Sequence, residues 1–226
     1  MLPRRLLLKA FAAAGLLGPA GISGLIRDAL AKGNAPVAPG LHKVRGEVTV
    51  NFKLAKEGQL ILPGDTIVTG ANSEAIYVIG QDAFMQRELS TVSFGSDAAV
   101  NLMRVVTGKI LSVFGKGARS IQVSTATIGI RGTGCYIESE GTGTRARTYF
   151  CLCYGSVELT PTAAPQEAES YSTRHHEKPM YIHNDMNMAK MMVPAGVINH
   201  TDAELEMLEA LVGRRPPFWG QGGSKY

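Results

Sequence analysis

Several familiar kinds of chemistry are missing from this 226-residue chain. No Gly-x-Ser-x-Gly elbow, His-Glu-x-x-His pair or phosphate-cradling glycine loop occurs, so serine hydrolase, zincin and P-loop chemistries are not expected. There is also no excess of charge in the body of the chain. The total is +4, but residues 1–31 hold Arg4, Arg5, Lys9 and Arg27 against Asp28, which leaves the remainder at +1. A nearly neutral body carries no electrostatic footprint for nucleic acid. Beyond the N-terminus, no stretch is long and apolar enough to span a bilayer. Cysteine is scarce, with Cys135, Cys151 and Cys153 only. At 45% hydrophobic and 19% charged residues, the composition suits a folded domain with a buried core.

The N-terminal residues 1–31 read as an address. Arg4 and Arg5 precede a run of leucines, an apolar stretch follows from Ala10 to Ile26, and Ala29-Leu30-Ala31 offers small residues at a signal-peptidase spacing. The paired arginines resemble a twin-arginine export signal. The apolar stretch is interrupted by Gly15, Gly18, Pro19, Gly21 and Gly24, which favours a cleaved signal over an anchor. The expected location is the periplasm. The alternative is the inner membrane, with an uncleaved N-terminus as the only membrane contact.

After a Pro/Gly-containing linker at 32–45 the period becomes two. GEVTVNFKLA, 46–55, alternates Val48, Val50, Phe52 and Leu54 with polar residues, as a half-buried strand does. Short strand-like runs and turn signals then alternate up to Thr160, and SEGTGTRA between Glu138 and Arg147 reads as a hairpin tip. The expected fold is mainly β, a sandwich or roll of many short strands with one C-terminal α-helix. Residues 161–200 read as an irregular His/Met-containing extension. Residues 201–213 read as a docking helix, with Thr201 and Glu204 as a capping box, Leu205, Leu208, Leu211 and Val212 on one face, and Gly213 beyond its end. Residues 214–226 form a tail.

Two segments have a family likeness. Gly64-Asp65-Thr66-Ile67-Val68-Thr69-Gly70, followed by Ser73-Glu74-Ala75, and later Gly129-Ile130-Arg131-Gly132-Thr133 before a closing hairpin, resemble the FecR domain over residues 46–160. The resemblance implies a periplasmic β domain used in sensing or interaction, with another envelope protein as partner. Only Met1 to Lys9 precede the apolar stretch, so a relay to a cytosolic sigma factor is not expected. In the motif, Gly64, Gly70 and Gly132 suit turns of positive φ, Asp65 suits a turn cap, and Arg131 is expected to hold a turn through backbone carbonyls. Thr133 completes this structural motif. The segments at 147–155, 175–182, 199–202 and 213–218 resemble an extension that recurs in exported FecR-domain proteins and has no assigned activity.

The stretch RTYFCLCYGS, 147–156, puts Cys151 and Cys153 on a strand with Tyr149 on the same face, and Phe150, Leu152 and Tyr154 on the other. Two strand steps place the Cα atoms about 6.6–6.8 Å apart with parallel side chains, which disfavours a bond between this pair. Three readings stay open. The first is a metal site for zinc or copper built from Cys135, Cys151, Cys153, His175 and His176, with His183 and His200 as weaker candidates. The second is a disulfide from Cys135 across to Cys151 or Cys153, and the third is a set of inert buried thiols. Met180, Met186, Met188, Met191 and Met192 read as packing residues rather than a copper run. We expect no catalytic residue and no enzyme. The rival functions are a thiol-dependent enzyme, with Cys153 and His176 as nucleophile and base, and a purely structural envelope protein.

Overall fold

A computed structural model describes residues 35–96 and 102–220. The expected export signal at 1–31 lies outside the described residues. Among the described residues no helix is long and apolar enough to cross a membrane.

The mainly-β expectation holds. Among the described residues, fourteen strands join one continuous sheet, and a single α-helix lies near the C-terminus. The first seven strands are β1 (Gly40–Arg45), β2 (Val48–Val50), β3 (Lys53–Leu54), β4 (Thr66–Thr69), β5 (Glu74–Ile79), β6 (Asp82–Gln86) and β7 (Ser90–Phe94). Three strands are long, β8 (Leu102–Val113), β10 (Ala126–Glu140) and β11 (Arg147–Pro161), and the shorter β9 (Ala118–Val123) lies between β8 and β10. The chain closes with β12 (Glu169–Thr173), β13 (Met180–His183), β14 (Met192–Pro194) and the helix α1 (Asp202–Leu211). The path runs β14-β13-β11-β10-β9-β8-β7-β4-β2-β3, while β6 joins β8, β5 and β1 extend from β6, and β12 pairs with β11.

Local chemistry explains where the strands break. The run 46–55, expected as one strand, folds back on itself. Asn51 and Phe52 take φ of 50° and 63°, Thr49 pairs with Leu54, and Phe52 and Leu54 are exposed. Conversely, β8 runs unbroken through Gly108, a residue that reads as the end of one short strand before Lys109 begins another. It pairs with β7 and β9 in its first half and with β6 and β10 in its second. Gly108 permits this change of partner. Its φ is +91°, and a Cβ there would lie 2.4 Å from the Ser90 Cα. The expected linker also contributes a strand, since β1 pairs with β5, and the irregular extension supplies β12, β13 and β14.

The FecR-like motif residues divide between turns, at Gly64 to Asp65 and at Gly70, and strands, with 66–69 in β4 and 129–133 in β10. Gly64 and Gly132 have φ of 91° and 54°, and the Asp65 carboxylate accepts from the Leu62 amide at 2.7 Å. Two expectations fail. Gly70 does not adopt positive φ; instead, a Cβ there would sit 3.4 Å from that of Glu47. Arg131 is exposed, with no side-chain hydrogen bond among the described residues, and β10 continues through it in register with Ser156. Thr133 is buried, and its carbonyl accepts from Phe114.

The sheet has two apolar layers. The first core lies within the β domain and includes Ile67, Tyr77, Phe84, Ile110, Ile137, Phe150 and Leu152. The second lies on the other side of β10 and β11, where the extension and α1 cover Tyr136, Tyr149, Cys151 and Cys153 with Leu205, Leu208, Leu211 and Phe218. Each leucine buried in this way contributes about 2 kcal/mol, so a helix of about three turns is held by docking rather than by its own propensity. The Thr201/Glu204 capping box starts α1, and Gly213, at φ 72°, ends it. Polar ties fix its position. Arg87 pairs with Glu204 at 2.8 Å, the Tyr154 hydroxyl donates to Glu209, and the Val37 amide donates to the Leu211 carbonyl.

Candidate metal centre

The site begins with the register of β10 and β11. Tyr136 faces Cys151 across the ladder, whereas Cys135 faces Leu152. Between Leu152 and Tyr154 the ladder slips by one residue, which makes Cys153 the extra residue of a β-bulge. The bulge brings Tyr154 into the second core beside Cys151 and Cys153, where strict alternation put it on the opposite side. The cysteine face is buried, because the extension and α1 cover it.

Two loops descend onto this face. After β12, the Glu177 carboxylate caps the amides of Arg174 and His175, at 2.6 and 3.3 Å. His176 takes the left-handed conformation, φ 56°, and its amide donates to the Cys153 carbonyl at 2.9 Å. These bonds turn its imidazole inward, with Nδ1 3.4 Å from the Cys151 sulfur. The second loop is held by Tyr149, whose hydroxyl donates to the Gly196 carbonyl and accepts from the Ile198 amide. Asn199, at φ 55°, donates to Glu138 and reverses the chain, so that His200 lies stacked on the Tyr136 ring at 4.6 Å. His200 Nε2 then lies 3.1 Å from His176 Nδ1.

One sulfur or ring nitrogen from each of Cys151, Cys153, His176 and His200 lies within 4.8 Å of the others, and all four residues are buried. A tetrahedral ion with sulfur at about 2.3 Å and nitrogen at about 2.0–2.1 Å sets its donors roughly 3.3–3.8 Å apart. The 3.4 and 3.1 Å separations are close to such edges.

The outer ring nitrogens fix the tautomers. His200 Nδ1 faces the Ile198 carbonyl at 2.7 Å, and His176 Nε2 faces the Asp202 carboxylate at 3.1 Å. Both partners accept, so both outer nitrogens carry protons, and the inner nitrogens present lone pairs whenever the rings are neutral. A carboxylate or carbonyl behind each inward imidazole is also the usual outer partner of metal-bound histidine.

The thiols respond differently to this setting. The Cys153 thiol beside it draws the Cys151 thiol down to about 4 against the opposing effect of burial, and hydrogen bonds from His176 and His200 add to this. Burial and the neighbouring Cys151 push Cys153 well up. For His176, burial works against the cation, but Cys151 and Asp202 outweigh it and the net direction is upward.

Three members of the expected ligand set are thus together: Cys151, Cys153 and His176. Cys135 is not with them. It points into the first core on the far side of β10, because residues one apart on a strand face opposite ways. For the same reason no cross-strand disulfide forms, and all three cysteines are free. His175 stands outside the cluster, 2.9 Å from Asp202 and stacked on Phe218 at 4.4 Å. His200, a weaker candidate by sequence, supplies the fourth donor. His42 is bonded to the Ala38 carbonyl, and His183 closes β13. Met180 and Met191 are buried as packing residues, while Met186 is exposed. Asp202 is the residue that sequence reasoning missed in this role. As the first residue of α1 it reads as a helix-dipole group, and only its burial behind two imidazoles reveals the second task.

No protein-family model matches the chain, and no curated protein does. Among solved structures, the chain is similar to a candidate anti-sigma factor from Parabacteroides distasonis, determined at 1.65 Å and again at 2.50 Å. The TM-scores are 0.46 and 0.45, and the identity is 7%. The match covers 58% of this chain and spans 59% of the other. A likeness at this level assigns neither family nor function.

Proposed function

We propose that this chain is an exported, FecR-like β module of the periplasm that senses or scaffolds beside another envelope protein, and that it holds a transition-metal ion between Cys151, Cys153, His176 and His200. One observation carries the metal reading. Two imidazole nitrogens, each with its proton committed on the far side of the ring, face each other at 3.1 Å beside a cysteine whose thiol is drawn down to about 4. When both rings are neutral, as ligands to a metal are, these facing lone pairs repel, and a cation between them removes the repulsion. The export and FecR-like parts rest on the sequence: the Arg4-Arg5 leader and the 64–70 and 129–133 motifs.

The test is elemental analysis of the mature chain, purified without affinity histidines. One equivalent of a transition metal, absent from a Cys151→Ser/Cys153→Ser variant, is the expected result. No metal, with all three thiols free to alkylate after unfolding, overturns the reading.

A second reading has a specific observation in its favour. Cys151, His176 and Asp202 lie in the order nucleophile, base and orienting carboxylate, at 3.4 and 3.1 Å. Against it, both Cys151 and the His176 side chain have 0% exposure, and a nucleophile must meet its substrate. Rapid, stoichiometric labelling of Cys151 by iodoacetamide in the native, metal-free protein would favour this thiol-enzyme reading.

A further inference from the structure

We infer that the ion is a closed-shell divalent metal of the zinc class, and that it acts as a clasp fastening the C-terminal extension to the β10–β11 hairpin. This rests on the metal reading above and adds the identity of the ion and its structural task.

Charge selects the class of ion. Two thiolates and two neutral imidazoles carry −2, so a divalent cation makes the buried cluster neutral. A monovalent ion, such as copper in the state that paired thiolates favour, leaves an uncompensated negative charge in an apolar layer, and a trivalent ion leaves a positive one. Donor number agrees. Two sulfurs and two nitrogens complete a tetrahedron, the arrangement of structural zinc sites, which keep no open position. The cysteines are 0% exposed, His176 2% and His200 4%, so no donor has a solvent side at which a water ligand is held.

The clasp follows from where the donors come from. Cys151 and Cys153 belong to β11, His176 to the loop after β12, and His200 to the loop before α1. The two loops share an unusual feature, since each contains a non-glycine residue in left-handed backbone, His176 itself and Asn199 next to His200. Such a conformation costs about 1–2 kcal/mol per residue and persists only where the surroundings hold it. An ion joining both loops to the strand supplies that restraint, and its binding free energy adds to the docking of the extension. The first core lies on the other face of β10 and β11 and takes no part in this.

The inference predicts local rather than global loosening when the ion is removed. The amides of His176, bonded to the Cys153 carbonyl, and of Ile198, bonded to the Tyr149 hydroxyl, become fast to exchange, by about tenfold or more. The amides of Ile128 and Ile137 in the first core keep their protection.

The experiment uses the full mature chain, stripped with a chelator and reloaded with zinc, cobalt(II) or copper(I) under reducing conditions. Expected are one equivalent of zinc in competition with copper(I) at equal free concentration, a cobalt spectrum with the intense visible bands of a tetrahedral site plus a thiolate charge-transfer band, and the exchange pattern above. His200→Gln and Cys151→Ser serve as parallel variants, either of which should remove the thiolate–cobalt spectrum or reduce it to weaker three-donor binding. If no metal binds at all, the metal reading itself falls. If copper displaces zinc, or cobalt gives a weak octahedral spectrum, the zinc-class identity is overturned while metal binding stands. If the tetrahedral spectrum appears but exchange at His176 and Ile198 is unchanged on stripping, the clasp is overturned.

Discussion

Nδ1 of His176 lies 3.1 Å from Nε2 of His200, although 24 residues separate them in the chain. The contact joins the loop that follows β12 to the loop that precedes α1, directly over the paired cysteines of β11. Most of what distinguishes this chain from an ordinary β roll depends on that juncture.

Single cysteine variants should separate the two faces of the hairpin. If the centre holds a metal as proposed, Cys151→Ser and Cys153→Ser should each lose it or bind it more weakly, because each removes a sulfur donor. Cys135→Ala should keep it, at a cost of about 1 kcal/mol for a small void in the first core. Elemental analysis and chemical denaturation of the three variants check both points. Metal lost from Cys135→Ala would place that thiol in the site.

In the proposed centre, Asp202 would act through His176 and not as a ligand. Asp202→Asn keeps the start of α1 but weakens the acceptor that holds His176 Nε2–H, so metal affinity should fall about 10- to 100-fold. Competition against a chromophoric chelator measures it. An unchanged affinity would reduce Asp202 to a helix-start residue.

Gly134 tests the coupling between the bulge and α1. A Cβ at this position would lie 2.4 Å from the Tyr154 ring, which is itself tied to Glu209 of the helix. Gly134→Ala should displace that ring and destabilise the protein by about 1–3 kcal/mol, a fall in Tm of about 2–4 °C for each kcal/mol. Thermal unfolding provides the check, with Gly129→Ala as a milder control, since its nearest neighbours would be 3.7 Å away.

Tyr77 supplies a pH signature remote from the metal. Its phenol is fully buried against Gln86, with the oxygens 3.1 Å apart, and burial raises its titration above that of a free tyrosine. The native state therefore keeps this proton where the unfolded chain loses it, near pH 10. Native protein then binds more protons than unfolded, so stability declines as pH rises past 10, by up to about 1.4 kcal/mol per pH unit from this group. Tyr77→Phe should be about 1 kcal/mol less stable at pH 7 but should lose less between pH 10 and 11. Urea titrations across that range test the narrowing of the gap.

Much of the fold can be read from residue patterns alone. Period-two alternation gives the β character, the tip between Glu138 and Arg147 is where β10 turns into β11, and Thr201, Glu204 and Gly213 bound the helix. These are local effects, set by side-chain periodicity, capping hydrogen bonds and the conformational freedom of glycine. The reversal at Asn51-Phe52 was not legible, because Asn51 tolerates positive φ but Phe52 does not favour it, and the unbroken alternation masks the turn that pairing of β2 with β3 and β4 enforces. The role of Arg131 was misjudged for a related reason, since a motif residue in an apolar run looks partnered until the strand shows which side it faces.

At the candidate site the division is sharper. The sequence by itself determined that Cys151 and Cys153 share a face, because two steps along a strand return to the same side. It also supplied His176 as a nitrogen donor within reach of the hairpin. Only the tertiary structure decided that Cys135 faces away, that His200 replaces it, and that Asp202 stands behind His176. Those three facts depend on strand register, on two loops reversing through left-handed residues, and on where the helix docks against the sheet. Each is a long-range outcome of packing that no local pattern encodes.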